Sequence, residues 1–237
     1  MNIHAIICTR SREDISPTTD KLLAYLCQCG IAVYLLTGAK SIFSAYHGAF
    51  EKLDTTPEDI VIFCHDDIEI RDRPEVFLHN LTGALDLPNV GFVGPAGTTR
   101  LDDKAVWWCS ENWNQGFHRG KVTHLDPSGN EYLTTFGPPV WIPAQAPHPV
   151  VVLDGLFLAA KSSTIKEVGL QKPEYFEGEW DFYDIHYTSK AFLKGYSNFV
   201  IDMTVLHNSR GELVGRESWH KNKEAFIRNN NLPIGLR

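Results

Sequence analysis

Apolar residues along the first hundred positions alternate between two rhythms. Short unbroken runs rich in β-branched residues, Ile3–Cys8, Ile31–Leu36, Ile60–Cys64 and Val90–Val93, read as strands buried on both faces of a parallel sheet. Between them apolar residues recur at helical spacing. Leu22, Leu23 and Leu26 follow a Ser16 cap with Pro17 at the first helical position, and Gly30 closes that helix. Ile42, Phe43, Tyr46, Phe50 and Leu53 mark a second helix over Ser41–Leu53, and Pro74–Leu85 a third. The β-α-β-α-β order predicts parallel strands joined by right-handed crossovers, the way nucleotide-binding halves are built.

From Gly94 to Pro149 the periodicity breaks. Glycine, proline and Trp107, Trp108, Trp113 and Trp141 are scattered through it, which predicts a functional loop region or small hairpins. Trp107-Trp108 either line a sugar-stacking surface or pack inside a hairpin. Val150–Ala160 is again apolar but is interrupted by Asp154-Gly155. A carboxylate in such a run needs a partner, and the glycine admits close backbone approach to a ligand. Trp180–Leu193 reads as a helix with Asp181 and Asp184 in its first turn and Gly195 past its end. Asn198–Met203 reads as a last strand leading to His207-Asn208-Ser209-Arg210-Gly211, and Glu217–Asn231 as a polar helical tail.

Composition narrows the partners. The chain of 237 residues is 43% hydrophobic and 22% charged, ordinary for a globular protein. A net charge of −7 without a basic stripe argues against nucleic acid. It tolerates an anionic substrate if a metal supplies local positive charge. The odd count of five cysteines, without paired CxxC motifs, points to reduced thiols and a cytoplasmic protein. No apolar run is long enough to span a bilayer, and the chain opens directly on a strand pattern.

The chemistry concentrates at Asp59–Ile70. The strand Ile60–Cys64 ends in His65-Asp66-Asp67, at the edge where open α/β sheets place ligands. Adjacent carboxylates there make a hard oxygen site suited to Mg²⁺ or Mn²⁺ carrying phosphate oxygens; the same tripeptide also fits a solvated polar turn. No glycine-rich phosphate loop follows the first strand, which disfavours a dinucleotide or P-loop site.

In order and spacing these features resemble the GT-A glycosyltransferases, in particular a family-2-like bacterial group associated with capsule and surface-polysaccharide synthesis. The resemblance runs from Ile3 to Gly211. It rests on Cys8-Thr9-Arg10, Phe63-Cys64-His65-Asp66-Asp67, Val93-Gly94-Pro95-Ala96-Gly97, Leu153-Asp154-Gly155-Leu156-Phe157, Phe182-Tyr183-Asp184-Ile185-His186, Lys194-Gly195-Tyr196 and Leu206-His207-Asn208-Ser209.

The resemblance implies a single α/β domain over residues 1–237, GT-A-like (Rossmann-like), with a mostly parallel sheet flanked by helices. A nucleotide-binding part would cover about residues 1–94, an irregular acceptor-side insertion about 95–211, and a polar helical tail 212–237. It implies that Asp67 and His207 hold Mn²⁺ or Mg²⁺, that Asp66, Thr9, Arg10, Asp154 and Gly155 contact the nucleotide-sugar, and that Asp184 is the catalytic base. The position two residues on, often acidic in the family, is His186 here. The implied reaction moves a sugar from a nucleoside diphosphate donor, UDP by family habit, to a hydroxyl of a glycan or glycolipid acceptor with inversion. It would take place in the cytoplasm, with peripheral contact at the inner membrane face allowed. Two other readings stay open: a non-catalytic nucleotide-sugar or glycan-binding module, and a metal-dependent phosphohydrolase built on His65-Asp66-Asp67.

Overall fold

The computed structural model describes residues 1–9, 11, 15–108, 116–126, 128–136, 147–208 and 216–236. The predicted strands pair in parallel, but the second of them, expected to be buried on both faces, is the edge strand of the sheet and is half-buried to exposed along its length. β1 (Ile3–Cys8) lies between β2 (Ala32–Leu36) and β3 (Ile60–Cys64), parallel to both, with Ile6 opposite Tyr34 on one side and Phe63 on the other. β3 is buried along its whole length, which is why it reads as an unbroken apolar run. The helices between these strands start on side-chain caps: Ser16 accepts from the Thr19 amide ahead of α1 (Pro17–Gln28), and Ser41 from the Ser44 amide ahead of α2 (Ile42–Phe50). α3 spans Pro74–Leu85 as predicted.

β4 (Ile68–Ile70) follows the polar tripeptide, and β5 (Val90–Gly94) returns to the main sheet. The expected irregular region contains β6 (Ala96–Thr98), β7 (Arg100–Leu101), the hairpin of β8 (His118–Leu125) with β9 (Glu131–Phe136), and β10 (His148–Val150). Trp113, Trp141 and the run Ser209-Arg210-Gly211 lie outside the described residues. Trp107 is buried, edge-on to Trp108 and His118, so its place is in the core.

The apolar stretch after residue 150 becomes β11 (Val152–Leu153), a turn at Asp154-Gly155, and β12 (Phe157–Lys161). The seven-stranded sheet has the order β10-β13-β5-β12-β3-β1-β2. The predicted parallel arrangement holds for β2-β1-β3 and for β5 with β13 (Ser197–Val200); β12 runs antiparallel to both β3 and β5 between these blocks. The reversal has a local cause. The chain enters β12 from the turn at the carboxyl ends of the parallel strands, so Phe157 sits opposite Cys64 and the strand runs the other way.

α4 (Ser162–Val168) was not anticipated, and α5 starts at Tyr183, three residues later than predicted, because Phe182 adopts φ 68 and is not helical. A short strand the sequence pattern did not reveal, β14 (Val205–His207), lies between β8 and β4 in a second sheet of order β11-β6-β8-β14-β4. α6 (Glu217–Asn229) and β15 (Ile234–Gly235), paired with β7, complete the chain. Buried Asn198 ties these layers together: its amide donates to the Val151 and Thr188 carbonyls, and its oxygen accepts from the Phe92 amide. Among the described residues no helix is long and apolar enough to cross a membrane.

Candidate active site

Three main-chain anchors fix the tripeptide after β3. The His65 amide donates to the Leu156 carbonyl (3.0 Å), Thr19 Oγ1 to the Asp66 carbonyl (2.8 Å), and the Asn208 amide to the Asp67 carbonyl (2.8 Å). The pairing of β14 with β4 sets His207 opposite Ile68, one residue past Asp67. Two residues distant in sequence are thereby brought together by sheet register.

Ligand atoms of His65, Asp67 and His207 all lie within 4.8 Å of one another. His207 Nε2 is 3.5 Å and His65 Nδ1 is 3.7 Å from Asp67 Oδ1. Both separations exceed an ordinary hydrogen bond, and this buried carboxylate oxygen has no hydrogen-bond partner. An orphaned oxygen flanked by two imidazoles at that spacing fits a divalent cation. Burial pushes the Asp67 pKa up, but the two imidazoles outweigh it and hold the carboxyl at about 2. For His207, burial pulls down and the Asp67 carboxylate prevails, so its pKa is raised. His124 stands behind His207, ring centroids 5.8 Å apart, and stacks on Tyr132; burial lowers its pKa.

Asp184 occupies the first turn of α5, and its Oδ2 accepts from the Gly155 amide at 3.1 Å. Burial and then the neighbouring Asp154 carboxylate drive its pKa from 3.8 to about 7, against the pull of the Ile185 and Gly155 amides. Asp154 shapes the turn by accepting from the Leu156 amide at 3.1 Å. Gly155 is required by close packing: a Cβ there would lie 2.3 Å from Tyr183 Oη and 2.8 Å from Asp184 Cβ. The close approach read from the sequence is thus occupied by this chain's own Tyr183 and Asp184.

Tyr183 joins the two halves. Its hydroxyl contacts His65 Nε2 (2.8 Å) and donates to the Gly155 carbonyl (2.7 Å). The structure thus brings Asp67 and His207 together and links them through His65 and Tyr183 to Gly155 and Asp184. Thr9 is buried at the end of β1, where its Oγ1 accepts from the Ser11 amide. Asp66 is half-buried beside the cluster, and Arg10 lies outside the described residues. His186 packs edge-on against Phe176, and burial lowers its pKa to about 4. The resemblance did not assign His65 or Tyr183 to the site; His65 entered only in the phosphohydrolase reading built on His65-Asp66-Asp67. The signal for His65 was its place in the same polar tripeptide as Asp67, at the end of a buried strand.

A mixed α/β sheet of GT-A-like fold thus gathers these groups at its strand ends. The family model described as "Glycosyltransferase like family" matches residues 22–229, and the chain belongs to that family, whose chemistry is glycosyl transfer. No curated protein matches the sequence. Among solved structures, GalNAc-T7 with UDP, GalNAc and Mn²⁺ is similar at a TM-score of 0.53 and 11% identity, over 92% of this chain and 44% of that one. S. aureus TarS 1-349 is similar at a TM-score of 0.46 and 12% identity, over 88% and 60%. The chain therefore spans less than half of the GalNAc-T7 chain. At these identities the likeness concerns the fold.

Proposed function

We propose that this protein is a metal-dependent, inverting glycosyltransferase that takes its sugar from a nucleoside diphosphate donor, UDP in first place, and delivers it to a hydroxyl of a glycan or glycolipid. The observation that carries the reading is the continuity between a carboxylate-imidazole cluster suited to a cation and a carboxylate whose pKa is raised to about 7. The solved GalNAc-T7 complex, with UDP and Mn²⁺ in a related fold, suggests the donor and the metal. Asp67 and His207 would hold the cation, which when bound would neutralise charge on the departing diphosphate.

The chain's own residues supply the rest. Thr9, Arg10, Asp66 and Asp154 are the residues we assign to the nucleotide-sugar, with Gly155 shaping the turn that carries Asp154. Asp184 accepts the acceptor hydroxyl's proton as that oxygen bonds to the anomeric carbon. The bond from that carbon to the diphosphate oxygen breaks, and a single displacement inverts the configuration. A carboxylate with a pKa near 7 is a far better proton acceptor than an ordinary aspartate while still ionised in a large fraction of molecules. The reaction is placed in the cytoplasm, with the inner membrane face as the site of a lipid-linked acceptor.

Calorimetry with UDP, with and without Mn²⁺, and hydrolysis of UDP-sugars test this. Mn²⁺-dependent UDP binding lost in Asp67→Ala, together with slow donor hydrolysis by the native chain, is the expected result. Equal UDP affinity with and without Mn²⁺ overturns metal dependence. Tight binding without any turnover, across a panel of donors and acceptors, would leave a sugar-nucleotide binding module.

A further inference from the structure

The hydrogen-bond chain around Tyr183 has only one consistent proton arrangement. The Gly155 carbonyl can only accept, so the single phenolic proton of Tyr183 is committed to it across 2.7 Å. The phenol oxygen can then only accept from His65 Nε2, 2.8 Å away, so Nε2 carries a proton. In the neutral ring Nδ1 is therefore the lone-pair nitrogen. It faces Asp67 Oδ1 at 3.7 Å, an acceptor facing an acceptor, with that oxygen buried and lacking a hydrogen bond. His207 Nε2 approaches the same oxygen from 3.5 Å.

We infer that His65 is a third protein ligand of the cation, through Nδ1, and that Tyr183 is a positioning residue that locks His65 in the ligating tautomer. This rests on the metal-dependent reading above and deepens it. Two imidazoles and one carboxylate suit a first-row transition dication such as Mn²⁺ or Co²⁺; Mg²⁺ prefers oxygen ligands throughout. The inference therefore assigns the site a preference for Mn²⁺ over Mg²⁺. Tyr183 plays the part usual for a group behind a ligating histidine, holding the far ring nitrogen and so the ring's orientation.

The test is metal binding by the protein alone, read from the electron paramagnetic resonance signal of free Mn²⁺ and from displacement by Mg²⁺. Wild type should bind one Mn²⁺ that Mg²⁺ displaces poorly. His65→Ala should weaken Mn²⁺ binding by about 100-fold or more, and Tyr183→Phe by about 10- to 100-fold, the usual effect of losing a supporting partner. His65→Asp, which exchanges imidazole for carboxylate, should narrow the Mn²⁺/Mg²⁺ preference. A merely structural Tyr183 would leave that preference unmoved.

Nitrogen-15 NMR of histidine-labelled wild type gives a readout that needs no variant to fold. His65 should show protonated Nε2 and unprotonated Nδ1, and Zn²⁺ should shift Nδ1. If His65→Ala binds Mn²⁺ like wild type, or if Nδ1 carries the proton and ignores Zn²⁺, the ligand assignment falls while the metal-dependent function stands. If wild type binds no Mn²⁺ even with UDP present, both fall.

Discussion

Replacing Asp184 by asparagine should make the protein more stable at mildly alkaline pH while removing its activity. The carboxyl titrates at 3.8 in an ordinary setting and at about 7 here, chiefly because burial and then Asp154 disfavour its charge. Between those values the native state keeps a proton that the unfolded chain has released, so stability falls as pH rises through that window. A shift of about three units at about 1.4 kcal/mol each sets a ceiling of about 4 kcal/mol. Asp184 is half-buried, and solvent reaching the carboxyl reduces the expected cost to about 2 kcal/mol. Asparagine cannot ionise and escapes this cost, while its amide oxygen can still accept from Gly155. At about pH 8 the variant should melt about 4–8 °C above wild type, and near pH 4 the two should converge. Turnover should drop about 10²- to 10⁴-fold, and wild-type kcat/KM should rise with pH through about 7. Paired urea or thermal melts across that range, with transfer rates, provide the check. A variant whose stability tracks the wild-type pH slope, or that is less stable at about pH 8, would refute the reasoning.

Two further substitutions probe how the site is held. Gly155→Ala should destabilise the fold by about 1–3 kcal/mol, because the added carbon must displace the Tyr183 hydroxyl and the Asp184 side chain; an unchanged melting temperature would show that the turn relaxes freely. Asn198→Ala should cost about 2–4 kcal/mol in urea unfolding, since it strands the Phe92 amide and the Val151 and Thr188 carbonyls inside the protein; a loss below about 1 kcal/mol would mean water replaces the amide.

The elements most legible in the sequence are those whose residue pattern is set by burial alone. β1, β3 and α3 emerge where their apolar periods place them, because both faces of the strands and one face of the helix are covered. β14 was invisible because three residues give no period; only its neighbours β4 and β8 make it a strand. The start of α5 slipped because Phe182 takes a left-handed conformation that no residue preference suggests. At the site, the resemblance supplied Asp67, His207 and Asp184, and the register of β14 explains why the first two can meet. Tyr183 could not be read as part of the site, since its role depends on a turn folding against it from a strand distant in sequence.

The reversed strand β12 carries a consequence for how the molecule comes into being. Synthesis delivers β1, β2, β3 and β5 early, yet β3 and β5 are not neighbours; the strand that separates them is made much later. Until it inserts, each presents an open edge, and the two blocks of parallel strands lack a common sheet. The strands before β5 therefore leave one edge of β3 unpaired until residues 157–161 are made. Pairing of β12 with β3 also sets the Asp154-Gly155 turn beside His65, whose amide donates to the Leu156 carbonyl. Such long-range closure is slow by the standards of local structure. A chain that stops short of β12 lacks the strand that joins the two blocks, and lacks Tyr183, Asp184 and His207 of the candidate site as well.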